Sequence, residues 1–195
     1  MADNSDMKKE FIITTYSENN IGLTNRITII FTRRKVNIES LTGSESALPG
    51  IHKITIVVNE EEEKVKNIVK QIDKLVDVLK AFYHTNEEMI YQEIALYKVS
   101  TNSLMESDAI EKLIRRHNAR ILEITPEYTV IEKTGHKEET QELFEELNNY
   151  GVLQFIRSGR IAITRSRIEK LSEFLKERDD FLLKVESRGK LRAAF

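Results

Sequence analysis

At 195 residues the chain has room for one large domain or two small ones, each with a core of its own. Charged residues make up 32% of it, yet the net charge is only −2 and the two signs are spread evenly, so no segment offers the basic footprint that nucleic-acid binding needs. Cysteine is absent, which excludes disulfides, thiolate metal sites and cysteine nucleophiles.

Met1 to Glu10 is polar and lacks the apolar core of a signal peptide. No apolar run approaches the roughly 18 residues of a membrane helix, so the expectation is a soluble, cytoplasmic protein without a membrane partner. Residues 1–8 read as a flexible terminus. Phe11-Ile12-Ile13-Thr14-Thr15-Tyr16 is β-branched and aromatic, a buried strand. Gly22 opens a helix whose apolar face is Leu23, Ile27, Ile30 and Phe31. Val36 to Leu41 predicts a strand and Leu48-Pro49-Gly50 a turn. Ile54, Ile56 and Val58 then alternate with their neighbours as a strand paired back in a hairpin. Glu60 to Glu63 give a helix the acidic start its dipole favours, and Val65, Ile68, Val69, Ile72 and Leu75 form its stripe. Val76 to Tyr83 is a last strand.

A boundary falls near Asn86-Glu87-Glu88, and the pattern then repeats. Ile94 to Val99 is a strand, and Ile110, Leu113, Ile114 and His117 stripe a helix. Ile121 to Ile124 and Tyr128 to Ile131 are strands flanking Thr125-Pro126-Glu127. Leu143, Phe144 and Leu147 stripe another helix, and Val152 to Ile163 returns as extended chain. The fold class is therefore α+β, with two ferredoxin-like βαββαβ domains over 9–84 and 85–165. A helical extension follows over 166–195. In it Ile168, Leu171, Leu175, Leu182 and Val185 make a narrow seam, with Arg178 at the skipped position, ending before Gly189. Such a helix either packs on its own domain or docks a partner.

Chemistry is hard to find. His52, His84, His117 and His136 do not stand at metal-ligand spacing from one another. Glu60 to Glu63 and Glu138-Glu139 read as solvated helix starts rather than a catalytic pair. Ser158-Gly159 follows Arg157 in a turn but lacks the flanks of a nucleophile elbow or a phosphate loop. Seven glycines leave no material for a dinucleotide-binding loop. Against this background the stretch Glu18 to Thr42 carries the one positive signal. Gly22 permits close backbone approach, the helix start offers unpaired N–H groups, and Asn19 and Asn37 carry amides that both donate and accept. That suits a small zwitterion. The same residues also suit an ordinary turn, with Asn19 and Asn20 making it and Asn37 capping it.

The motif Glu18-Asn19-x-x-Gly22, Arg26-Ile27, Phe31, Arg34 and Asn37-Ile38-Glu39-Ser40-Leu41-Thr42 resembles the signature of the small, regulatory subunit family of acetolactate synthase (acetohydroxyacid synthase). Lys74-Leu75-Val76-Asp77-Val78, Glu93 to Val99 and Arg157-Ser158-Gly159 extend the likeness over about residues 9–165. The resemblance implies an N-terminal ACT domain, the ferredoxin-like amino-acid sensor, and a second ferredoxin-like domain. It implies a homodimer through ACT domains, with valine or a related branched-chain amino acid bound at their interface. The Asn19, Asn20, Ile21, Gly22, Leu23 loop of one chain would face Asn37 and Ile38 of the other. It further implies a large catalytic subunit as partner, which would carry the thiamine diphosphate, magnesium and FAD; no cofactor, metal or catalytic residue is expected in this chain. Three features depart from the family pattern: Thr24 where leucine is common, Lys35 where glycine is usual, and the tail from Ser166. A free-standing ACT-type sensor controlling another enzyme or transcription is the alternative, and an enzyme acting alone a further one.

Overall fold

The computed structural model describes residues 7–102, 108–168 and 170–176. It forms two compact units, Met1–Ile163 and Thr164–Phe195. In the first unit the element order begins β1 (Lys9–Glu18), α1 (Leu23–Arg33), β2 (Ser40–Glu45), β3 (Ile51–Glu60), α2 (Glu62–Ile72) and β4 (Val78–Thr85). It continues through β5 (Met89–Ser100), α3 (Asp108–Arg116), β6 (Arg120–Ile124), β7 (Tyr128–Gly135), α4 (Lys137–Asn148), β8 (Val152–Arg157) and β9 (Ile161–Thr164). The strands make two antiparallel sheets in the orders β2-β3-β1-β4 and β6-β7-β5-β8, with β9 also on β5. Each sheet has the strand order of a ferredoxin-like fold, as expected from the sequence.

Both cores follow from the apolar periodicity. Leu23, Ile27 and Phe31 of α1 and Val65, Ile68, Val69 and Ile72 of α2 bury against Phe11, Ile13, Ile54, Ile56 and Val58 on one face of the first sheet. Ile110, Leu113 and Ile114 of α3 and Leu143 and Leu147 of α4 do the same against Ala95, Tyr97, Val99 and Ile131. Truncating one such fully buried side chain to alanine costs about 2–5 kcal/mol. Tyr97 is the largest fully buried side chain of the second core, and its hydroxyl donates to the Thr140 carbonyl at 2.6 Å.

The first sheet is covered on its other face too. Ile12 and Val57 there meet Met89, Ala162 and Tyr91 from β5 and β9. That explains why every residue of β1 from Phe11 to Ser17 is buried, where a sheet with one open face would alternate.

Four expectations change. β2 begins at Ser40 and not at Val36, because Val36 and Ile38 pack into the core from a loop, with no strand beside them until Glu39 N–H reaches the Val57 carbonyl. The last strand of the first sheet begins at Val78, with Val76 wholly exposed. The extended return from Val152 is two strands, broken at Ser158 to Arg160. Glu60 is no solvated helix start: it ends β3 at 4% exposure and pairs with Lys8 and Lys64 at 3.0 and 3.1 Å. In the second unit residues 170–176 are helical, and Arg178, Leu182 and Val185 of the expected seam lie outside the described residues. Among the described residues no helix is long and apolar enough to cross a membrane.

Candidate functional site

The loop from Asn19 to Gly22 joins the central strand β1 to α1. Leu23, 3% exposed, plugs the core and so fixes where the helix starts. Gly22 turns the chain into it at φ 81°, ψ −1°, a left-handed conformation that costs other residues about 1–2 kcal/mol. The Leu23 N–H bonds the Asn20 carbonyl and the Arg26 N–H the Gly22 carbonyl. No side chain caps the helix, so its positive end opens toward the loop. Asn19 and Asn20 are exposed, and the Ile21 side chain stands entirely in solvent.

A brace holds this loop in place. Asn20 Nδ2 donates to Asp77 Oδ1 at 2.8 Å and to Glu18 Oε2 at 3.3 Å. Arg26 forms an ion pair with the other Asp77 oxygen, and the Glu18 N–H bonds the Asp77 carbonyl at 3.0 Å. The hydrogen bond from Asn20, then that from Arg26, holds the Asp77 carboxyl below its ordinary value. Asp77 and Arg26 stand in the motifs quoted above, but their pairing across 51 residues has no local signature.

The other candidate residues sit past the far end of α1. Lys35 takes φ 55°, the left-handed region that glycine adopts freely, at the position where the family pattern has glycine. The Val36 N–H returns to the Phe31 carbonyl, closing the helix, and Val36 is buried. Ile38 packs on the core while Asn37 points out, its amide donating to Glu39 Oε1 at 3.0 Å.

The fold therefore brings Asn19 to Leu23 together but keeps them apart from Asn37 and Ile38. The 11-residue helix α1 runs from the first group toward the second, a rise of about 16 Å at 1.5 Å per residue. That exceeds the reach of one small amino acid held by hydrogen bonds of about 3 Å at each end. Asn37 and Ile38 lead into β2, an edge strand of the first sheet. Leu41 on β2 and Ile29 on α1 are part-exposed apolar side chains. Among the described residues no group of three or more His, Asp or Glu side chains is placed to hold a metal ion.

Two family descriptions match the chain: "AHAS small subunit-like ACT domain" over residues 13–80 and "Small subunit of acetolactate synthase" over residues 92–166. The acetolactate synthase small subunit of Bacillus subtilis is 35% identical over 162 residues, covering 83% of this chain and 94% of that one. A probable acetolactate synthase small subunit of Methanothermobacter thermautotrophicus is 32% identical over 154 residues, covering 79% and 92%. Among solved structures, the acetolactate synthase small subunit of Thermotoga maritima superimposes with a TM-score of 0.74 at 27% identity, covering 82% of this chain and 99% of that one.

Proposed function

The chain belongs to the family of acetolactate synthase small subunits, and on that premise we propose that it regulates a separate catalytic acetolactate synthase subunit. It raises that subunit's activity and makes it sensitive to valine or another branched-chain amino acid. Residues 9–84 form the sensing ACT domain, 85–165 the second domain and 166–195 an extension. The thiamine diphosphate, magnesium and FAD belong to the partner, which performs the chemistry.

One observation carries the effector reading. The two halves of the candidate site stand at opposite ends of an 11-residue helix, and one of them borders an edge strand. Two copies joined side by side at β2 would bring the Asn19–Leu23 loop of one against Asn37 and Ile38 of the other. The helix N-terminus, the loop N–H groups and the Asn37 amide N–H then suit the effector carboxylate, and the Asn19 carbonyl its ammonium. Ile21 and Ile38 supply apolar surface for a branched side chain. Effector binding and pairing of the chains become linked equilibria, and a coupling of about 1–3 kcal/mol is worth 5- to 150-fold in affinity.

The test is reconstitution. Adding this chain to a catalytic subunit should raise the rate of acetolactate formation, and valine should lower it again. Asn19→Ala or Asn37→Ala should remove the response to valine and leave the activation. A catalytic subunit that is unaffected by the chain, or equally inhibited by valine without it, would overturn the reading.

A further inference from the structure

The Arg157-Ser158-Gly159 motif has no part in the candidate effector site, yet the fold sets it against β2. Ser158 is clamped to β5: its N–H bonds the Ile94 carbonyl at 2.8 Å, and its Oγ accepts the Ile94 N–H at 2.9 Å. Gly159 then passes over the β2 backbone. A Cβ there would overlap Thr42 Oγ1 and come within 3.1 Å of the Leu41 carbonyl oxygen, so only glycine allows the approach. The Arg160 N–H donates to Ser40 Oγ at 3.2 Å.

The Arg160 side chain, 4% exposed, completes the junction. Nη1 bonds Glu10 Oε1 at 2.7 Å and Nε bonds Glu93 Oε1 at 3.4 Å, while the guanidinium lies 3.9 Å over the Tyr91 ring. One arginine thus ties the first strand of each sheet to the edge strand that follows Asn37. Removing one partner of so buried a charge pair is costly, so the junction is a fixed point.

Beside it is a cavity of about 260 Å³, lined by Glu39 and Ser40 from one fold and by Glu93, Lys137, Arg157 and Arg160 from the other. The charges around it are unequally satisfied. Arg160 is engaged through Nη1 and Nε. Arg157 donates through Nη2 to Gln141 at 2.9 Å, while its buried Nε has no hydrogen-bond partner among the described residues and only a long ion pair with Glu93 Oε2 at 3.9 Å. Glu39 is exposed, and Asn37 is its partner.

We propose that Glu39 is the switch that carries effector binding into the second fold, exchanging Asn37 for Arg157 and Lys137 across this cavity. The inference rests on the proposed effector site. An effector that takes the Asn37 amide leaves the Glu39 carboxylate without its donor. Arg157 Nε and the Lys137 ammonium are cationic donors on the same cavity, and a bond to either carries charge on both partners, where the amide bond it replaces carries it on the carboxylate alone. The exchange draws the lead-in to β2 toward β8 and α4, while Arg160 holds the rest of the junction still.

The test uses Glu39→Gln in the full chain, with calorimetry for valine binding, acetolactate formation with the catalytic subunit, and amide hydrogen exchange over residues 152–164. Valine binding should stay within threefold of wild type, while inhibition at saturating valine and the valine-induced protection of 152–164 are both lost. Wild-type inhibition in Glu39→Gln would overturn the proposal. So would loss of valine binding, which would place Glu39 inside the site and not behind it. If the unaltered chain binds no valine, the effector reading fails by itself, and the switch is read without ligand. Asn37→Ala should then raise protection of 152–164, and Asn37→Ala with Glu39→Gln should not; equal exchange in the two variants would refute the switch.

Discussion

If the effector site is shared, two chains with different lesions should repair each other. Asn19→Ala damages the loop half and Asn37→Ala the other half, each with one exposed side chain truncated and the core untouched. Hydrogen bonds to a charged ligand are worth about 1.5–3 kcal/mol, so each variant alone should bind valine roughly ten- to 150-fold more weakly. A mixed dimer contains one site with both lesions and one with neither. After random exchange about half of the dimers are mixed, so about a quarter of all sites regain wild-type affinity, as the two-fold geometry requires. Equilibrium dialysis, at a valine concentration that fills wild-type sites only, reads this number directly. The roughly 16 Å that α1 places between the two half-sites makes the alternative clear. A site built within one chain would regain nothing on mixing. Zero recovery in a sample shown by mass to contain mixed dimers would refute the shared site.

Asp77→Ala should release Asn20 and Arg26 and weaken valine binding several-fold with little change in the thermal midpoint; unchanged affinity would mean that the brace does not shape the site. Lys35→Gly removes a left-handed strain of about 1–2 kcal/mol against a glycine entropy cost of about 0.5–1 kcal/mol. The balance is a gain of up to about 1.5 kcal/mol, so a rise in thermal midpoint of up to roughly 6 °C is expected, and a fall would show that the strain is relieved otherwise. Acid should destabilise the fold through three carboxylates. Burial works to raise the Glu10 and Glu60 carboxyls, but hydrogen bonds from Arg160 and Asn86, and from Lys8 and Lys64, reverse it and hold both below 4.5. Glu132 is held down by the Thr134 hydroxyl, against burial, with Arg120 adding to it. A lowered folded-state value means stability that is complete above the unfolded value and is lost as pH falls through the folded one. Thermal midpoints should therefore be flat above about pH 5 and decline below about 4.5. Glu60→Gln should lower the plateau and flatten the decline; an unaltered acid slope would remove Glu60 from the account.

The helices were legible because their faces repeat within a few residues: Leu23, Ile27 and Phe31, or Val65, Ile68, Val69 and Ile72, need no distant partner to be recognised. The start of β2 was not, since Val36 and Ile38 alternate like strand residues while packing from a loop. The double burial of β1 depends on Met89 and Ala162, far along the chain, and a run of apolar residues cannot say what covers it. At the candidate site the sequence offered Asn19, Gly22 and Asn37. The Asp77 brace and the buried Arg160 escaped because each is defined by partners 51 to 150 residues away. Asn20 fits both readings of its motif: it makes the turn, through its carbonyl, and holds the brace, through its amide. The positive φ of Lys35 gives physical content to its departure from the family's glycine.

The central claim is that this chain, and not its catalytic partner, holds the effector. Calorimetric titration of valine into the purified chain alone tests it most directly. Saturable heat with one valine per chain is expected, with the affinity lowered roughly ten- to 150-fold in Asn37→Ala. No heat at millimolar valine, from a chain that still confers valine inhibition on the catalytic subunit, would contradict it.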